Sequence, residues 1–145
     1  MLDLAKRQDG PAKAAQVAGA LDAPVSSVQQ VLQALNRAGL VTSKSSGNGG
    51  YFLARDPRRI SLLEIIQAVE GPLDGGRCIL RSRPCHRKDV CSLHRVWMEA
   101  IGNFADALSR CSLAEVLSDD IALRSGELPV PQDSHRLRST GPRRS

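Results

Sequence analysis

The sequence predicts a mainly α chain with a small β wing, and three observations predict it. Two short amphipathic segments, 12–21 and 25–38, are separated by the three-residue break Asp22-Ala23-Pro24. Two stretches rich in β-forming residues, 40–44 and 51–54, then flank Ser45-Ser46-Gly47-Asn48-Gly49-Gly50. Further on, Leu93, Trp97, Ala100, Phe104, Ala107 and Cys111 recur at steps of four, three, four, three and four, a coiled-coil-like seam. Together these describe a winged helix-turn-helix domain plus a long dimerisation helix.

In chain order, residues 1–7 read as the tail of a helix with Leu2, Leu4 and Ala5 apolar, and Asp9-Gly10-Pro11 ends it. The alanine-rich segment 12–21 places Ala14, Val17, Ala18 and Leu21 on one side. The next helix, 25–38, carries Val28, Val31, Leu32 and Leu35 on its buried stripe, with Gly39 as the C-cap glycine. Two short helices joined by a tight turn form a helix-turn-helix. The opposite face of the second holds Ser26, Ser27, Gln29, Gln30, Gln33, Asn36 and Arg37. Its front is uncharged and rich in groups that hydrogen-bond base edges in a major groove. The same pattern also fits the solvated face of an ordinary helical hairpin.

The residues after Gly39 favour the DNA-reading helix over the plain hairpin. A β-hairpin with a glycine-rich tip directly after a helix-turn-helix is a wing, and its tip can lie on phosphate or in the minor groove. A nucleotide-binding glycine loop is set aside, because the Gly-Lys-Ser/Thr ending is missing and no helix comes at once after it. The base-facing candidates are therefore Ser26, Ser27, Gln29, Gln30 and Gln33. Lys44, Ser45, Asn48 and Tyr51 place the wing, and Arg37 and Arg55 are phosphate contacts.

Ser61-Leu62-Leu63-Glu64 is a capping box that opens a helix over about 62–69, stopped by Glu70-Gly71-Pro72. Beyond it, Cys78, Cys85, Cys91 and His94 fall within 17 residues at spacings C-x6-C-x5-C-x2-H. Arg77, Arg81, Arg83, Arg87 and Lys88 crowd this loop, with no acid between Arg77 and Lys88. Positive surroundings favour the thiolate, the form that binds metal, and offset the charge of a thiolate-ligated centre. Structural zinc sites usually pair their ligands at shorter gaps. The wider gaps here suit something larger, such as an iron–sulfur cluster held by thiolates. Spacing alone excludes neither zinc nor a reduced loop with incidental cysteines.

The long helix spans 92–110, and its seam suits pairing with a second copy, as in dimeric proteins that read two half-sites. Cys111 is expected as a core thiol. Ser112-Leu113-Ala114-Glu115 caps a further short helix to about Ser118. Residues 125–145, rich in Pro, Ser and Arg, are expected to be disordered and to add non-specific attraction to DNA. The plan is thus a winged domain (1–72), a cysteine-rich loop (73–91), the dimerisation helix with a short C-terminal helix (92–124) and a basic tail (125–145).

Composition narrows the function further. The net charge is +5, and residues 1–60 hold eight Lys/Arg against four Asp/Glu, whereas 61–124 hold eight against nine. The basic excess therefore sits on the winged half, and again in the last 21 residues, and points to an anionic partner. Aromatics make up only 3%, too few for a base-stacking surface of the single-strand-binding kind. No apolar run approaches the ~20 residues of a membrane span, and the charged start does not read as a signal peptide. A cytoplasmic location is expected, where clustered cysteines are more often metal ligands than disulfides. Beyond the cysteines there is no nucleophile–base pair, paired carboxylate or cofactor loop, so neither an enzyme nor a small-molecule substrate is expected.

Several stretches carry a family resemblance: Leu35-Asn36-Arg37-Ala38-Gly39-Leu40-Val41, Gly49-Gly50-Tyr51-Phe52-Leu53-Ala54, Ile60-Ser61-Leu62, Ala68-Val69-Glu70-Gly71-Pro72 and Cys91-Ser92-Leu93-His94-Arg95-Val96-Trp97. In this order, with the three-cysteine loop, they resemble the Rrf-type (IscR- and NsrR-like) bacterial transcription regulators over residues 1 to about 118. The resemblance implies a homodimeric regulator that binds double-stranded DNA at a palindromic operator. It also implies an iron–sulfur cluster, two-iron two-sulfur favoured and four-iron four-sulfur possible, that senses redox, nitric oxide or iron status. The thiolate ligands would be Cys78, Cys85 and Cys91, with His94 as the fourth ligand in the IscR-like pattern; His86 occupies a position on which the family does not rely.

The chain also departs from the family pattern. Members normally carry about a dozen further residues ahead of the position of Met1, supplying DNA and dimer contacts and, in NsrR-like members, an acidic ligand. An IscR-like glutamate is replaced by Gln29, and the usual wing arginine aligns with Ser45 beside Lys44, so base preference should differ. Two alternatives remain: a cluster-free or zinc-binding winged-helix regulator, and a metal-binding interaction protein that has lost DNA binding.

Overall fold

The computed structural model describes residues 1–7, 10–44, 49–73 and 91–129. In order these form α1 (Leu2–Lys6), α2 (Ala14–Leu21), α3 (Val25–Arg37), β1 (Val41–Lys44), β2 (Gly50–Leu53), a 3-10 turn (Pro57–Arg59), α4 (Leu62–Glu70), α5 (Ser92–Arg110) and α6 (Leu113–Ser125). The architecture is mainly α with a two-stranded antiparallel wing, as the sequence predicts. The expected sites Ser45, Asn48, Cys78 and Cys85, and the tail from residue 130, lie outside the described residues.

The helix-turn-helix closes through two backbone devices. Asp22 adopts the left-handed conformation (φ 49) at the end of α2, and the Ala23 N–H donates to the Ala18 carbonyl at 3.0 Å. Asp tolerates this region better than most residues, so the turn can be tight without glycine. At the far end of α3, Gly39 (φ +69) lets its own N–H reach the Asn36 carbonyl at 2.9 Å while the Leu40 N–H reaches Leu35 at 3.0 Å. This is a Schellman ending, and it turns Leu40 and Val41 directly into the core. Val28, Leu32 and Leu35 line the inner side of α3 together with Val17 and Ala18 of α2. Val31 and Leu21, expected inside, are 40% and 64% exposed. At 100° per residue Val31 sits at the edge of the apolar stripe of α3, whereas Leu21 is the last residue of α2.

The strands pair in the register Val41↔Leu53, Thr42↔Phe52, Ser43↔Tyr51 and Lys44↔Gly50. On its other edge β2 is met by Ala12, whose N–H and carbonyl exchange two 3.0 Å hydrogen bonds with Tyr51. Ala12 is fully buried, so the root of the wing is locked between β1 and the lead-in to α2.

Ile60 and Leu113, both essentially inaccessible, complete the core from opposite ends of the chain. They are joined by a second bridge: the Leu62 N–H donates to Cys111 at 2.9 Å and the Leu113 N–H to Ile60 at 2.8 Å. Ser61 and Ser112, paired across it, are the N-caps of α4 and α6, and each forms a reciprocal capping box with Glu64 or Glu115. Ser61→Ala should therefore cost about 1 kcal/mol in urea unfolding at neutral pH. The Ser61 backbone N–H holds Glu64, and the Ser112 hydroxyl holds Glu115, below the ordinary glutamate range. A lowered folded-state pKa adds stability above the unfolded value, and this is lost as pH falls through the folded one.

One expectation for the C-terminal half is corrected. The helix expected to stop near Ser118 continues to Ser125, where Gly126 (φ +80) ends it and the N–H groups of Glu127 and Leu128 return to the Ala122 carbonyl. Asp120, two residues beyond the expected stop, is held by Lys6 of α1 and Arg124 one turn on. The tail predicted as disordered from 125 thus begins as an ordered helix end. The long helix α5 spans the expected 92–110 and packs against α4. Its half-buried row is His94, Trp97, Ile101, Ala105 and Leu108, whereas Leu93, Ala100, Phe104 and Ala107 of the expected seam are exposed.

Candidate nucleic-acid interface

Ser26, Ser27, Gln29, Gln30, Gln33 and Arg37 are all exposed on α3, opposite the buried Val28, Leu32 and Leu35. Spacings of three and four residues put Gln29, Gln33 and Arg37 in one row, with Ser26 and Gln30 in the next. Ser26, Ser27, Gln29 and Gln30 occupy the first half of the helix, and no carboxylate lies anywhere on α3. The side that faces away from the core is thus a strip of uncharged donors and acceptors ending in one guanidinium.

The wing residues divide between two faces of the hairpin. Strand alternation sends Ser43 and Tyr51 towards the side of α3, and the Asn36 amide Nδ2 donates to Ser43 Oγ at 3.3 Å. Lys44 turns the other way, its Nζ 5.5 Å from the centre of the Phe52 ring. That cation–π contact supports an otherwise long and flexible side chain near the wing tip. Tyr51 is therefore fixed twice, by its backbone bonds to Ala12 and by its cross-strand partner Ser43.

Arg55, expected as a phosphate contact, is exposed and also engaged within the protein. Its guanidinium is 2.7 Å from Glu64 Oε1 and donates to the Arg59 carbonyl at 3.3 Å, so it braces the start of α4. The 3-10 turn beside it supplies cations that the sequence reading did not select. Arg58 is highly exposed and pairs with Asp56 at 2.7 Å, and its hydrogen bonds hold that carboxyl down at about 2. Arg55, Asp56, Arg58 and Arg59 line a cleft of about 570 Å³. A run of Arg-Asp-Pro-Arg-Arg after a strand was the available signal, but only the fold reveals which arginine is already engaged.

Of the four candidate ligands, Cys91 and His94 are described. Cys91 is a free, half-buried thiol at the N-cap of α5, and His94, one turn on, is also half-buried. The His94 N–H donates to the Cys91 carbonyl at 3.1 Å. Cys111, expected in the core, is a half-buried free thiol at the end of the same helix. Among the described residues, no helix is long and apolar enough to cross a membrane.

Comparison with known proteins places this geometry. Residues 1–119 match the family model described as Rrf2, iron-dependent transcriptional regulator. The chain is 31% identical over 140 residues to the transcriptional regulator IscR of Xenorhabdus nematophila, covering 96% of this chain and 83% of that one. Among solved structures it is similar to T. potens IscR, with a TM-score of 0.67, 27% identity, and 90% and 84% of the two chains covered. It is also similar to CymR, the global cysteine regulator of B. subtilis, with a TM-score of 0.63, 25% identity, and 81% and 86% covered. These relatives are transcriptional regulators rather than enzymes. The exposed polar strip of α3, the wing braced against it and the match over residues 1–119 lead to one conclusion: the chain belongs to the Rrf2 family of winged helix-turn-helix transcription regulators.

Proposed function

We propose that the protein is a cytoplasmic homodimer whose affinity for a palindromic operator depends on an iron–sulfur cluster sensing redox, nitric oxide or iron status. The observation that carries the DNA-binding part is the outer face of α3, wholly exposed, free of carboxylates and flanked by the wing. In this reading Ser26, Ser27, Gln29 and Gln30 read base edges in the major groove, while Arg37, Lys44, Ser45, Asn48 and Tyr51 contact the backbone or the adjoining groove. The second copy docks on the apolar strip of α5 formed by Leu93, Val96, Ala100, Phe104 and Ala107. Phe104 is 52% exposed and Val96 55%, more apolar surface than a lone helix ordinarily leaves in water.

The cluster would be held by Cys78, Cys85, Cys91 and His94. The described pair fits that role: a half-buried thiol at the N-cap of α5 and an imidazole one turn later offer two donors side by side. When bound, the cluster supplies a one-electron change, or its own loss, as the signal. Cys91 and His94 tie the signal to the first turn of α5, whose inner row packs on α4 while its outer row meets the second copy. Two half-sites must match the helical repeat of DNA, so a small reorientation of the paired helices changes affinity substantially.

Anaerobic purification with visible absorption, iron and sulfide analysis, followed by gel-shift titration over the gene's own upstream DNA, tests the proposal. A coloured protein with a specific, steeply salt-dependent shift, both altered in Cys78→Ala/Cys85→Ala/Cys91→Ala, is the expected result. A colourless, zinc-containing protein that binds the same DNA regardless of the three thiols would defeat the cluster reading.

A further inference from the structure

The recognition helix and the wing do not simply sit side by side. Between them lies a cleft of about 410 Å³ lined by Gln33, Asn36, Arg37, Ser43 and Tyr51. Every lining side chain can donate a hydrogen bond: two amides, a guanidinium, a hydroxyl and a phenol. None is acidic. With a guanidinium among them and no carboxylate, these groups can all turn donors towards an anion with several equivalent oxygens.

The way the cleft is built supports the same conclusion. Gln33, Asn36 and Arg37 are at positions i, i+3 and i+4 of α3 and so point from one face. Ser43 and Tyr51 are direct cross-strand partners. The Asn36–Ser43 hydrogen bond ties the last turn of the helix to the strand at 3.3 Å, fixing the floor of the cleft. Tyr51 is held on its outer edge by the two backbone bonds to Ala12. The donors are thus pre-positioned by two elements, which lowers the ordering cost of binding. Asp56 and Glu64, which pair with Arg58 and Arg55, do not line this cleft.

We infer that this cleft seats one backbone phosphodiester of duplex DNA where the strand passes between the major groove read by α3 and the wing. The inference rests on the DNA-binding reading above and adds to it. Arg37 supplies the charge, Gln33 and Tyr51 supply neutral donors, and Asn36 with Ser43 positions the helix and the wing on either side of the phosphate. Gln33 accordingly reads backbone here rather than base.

The test uses the full chain and two fluorescent duplexes, one carrying its own upstream sequence and one of scrambled sequence, titrated from low to high KCl. Arg37→Gln should weaken both complexes by the same factor, about tenfold, because a charge-assisted contact is lost irrespective of sequence. The slope of log affinity against log salt should fall by about one per protomer engaged. Asn36→Ala should weaken both complexes with the slope unchanged, since no cation is removed, and circular dichroism should show both variants folded. A single methylphosphonate scanned along the duplex should reproduce the Arg37→Gln loss at one position per half-site and have no added effect on that variant. An unchanged salt slope in Arg37→Gln, or a loss confined to the upstream sequence, overturns the phosphate seat while leaving DNA binding intact. A wild-type chain that shifts neither duplex overturns both.

Discussion

Gly50→Val is expected to lower the thermal unfolding midpoint by several degrees and to weaken operator binding with it. A Cβ at position 50 would lie 2.7 Å from Pro11 Cβ and 2.9 Å from the Ala12 carbonyl oxygen. Both belong to a segment pinned by the Ala12–Tyr51 bridge, so neither can retreat without breaking backbone hydrogen bonds. Overpacking of this kind costs about 1–3 kcal/mol. For a chain of this size each kcal/mol moves the midpoint by roughly 2–4 °C. The side chain is small and no charge changes, so loss of the wing's anchorage is the direct cause. Calorimetry alongside a gel shift checks it, and a Gly50→Val midpoint within a degree of wild type would mean that the strand and the Pro11–Ala12 segment are farther apart than described.

The second large effect concerns recognition alone. Gln29→Ala/Gln30→Ala should reduce affinity for the specific operator roughly a hundredfold or more, since each good base contact contributes about 1–3 kcal/mol of discrimination. Binding to scrambled duplex should hardly change, because neither glutamine carries charge. Stability should stay within about 0.5 kcal/mol, as both side chains are exposed and form no hydrogen bond within the described protein. Parallel titrations of the two duplexes decide it. Equal losses on both would show that these residues support the fold or the backbone contacts rather than read bases.

The helix-turn-helix and wing were legible because their signals are local. Apolar spacing located α3, Gly39 marked its end through a left-handed backbone that few other residues accept, and Ser61 with Glu64 announced α4 within four residues. The exposed side of α3 could be placed for the same reason. Features made by distant pairs were not legible. Nothing around Arg55 announced its ion pair with Glu64 at 2.7 Å, and nothing near Ser118 revealed that Lys6 would hold Asp120 on α6. In α5 the periodic residues were identified, but a helix with apolar residues on two faces offers two rows, and sequence spacing does not say which one α4 takes. The strand alternation that separates Lys44 from Tyr51 comes from the hairpin register, which the length of the glycine-rich tip left undetermined.

The bridge between Ser61 and Ser112 makes the polypeptide from 62 to 111 a detour: it departs from one spot on the winged half and comes back to the same spot. With both ends clasped by reciprocal hydrogen bonds of 2.9 and 2.8 Å, its inner length can change at little entropic expense to the remainder. Among the described residues, the detour meets the winged half at the clasp itself and at the flank where α4 rests on α3. In the proposed function, a change at Cys91 is thereby passed through α5 and α4 to the back of the helix that meets DNA.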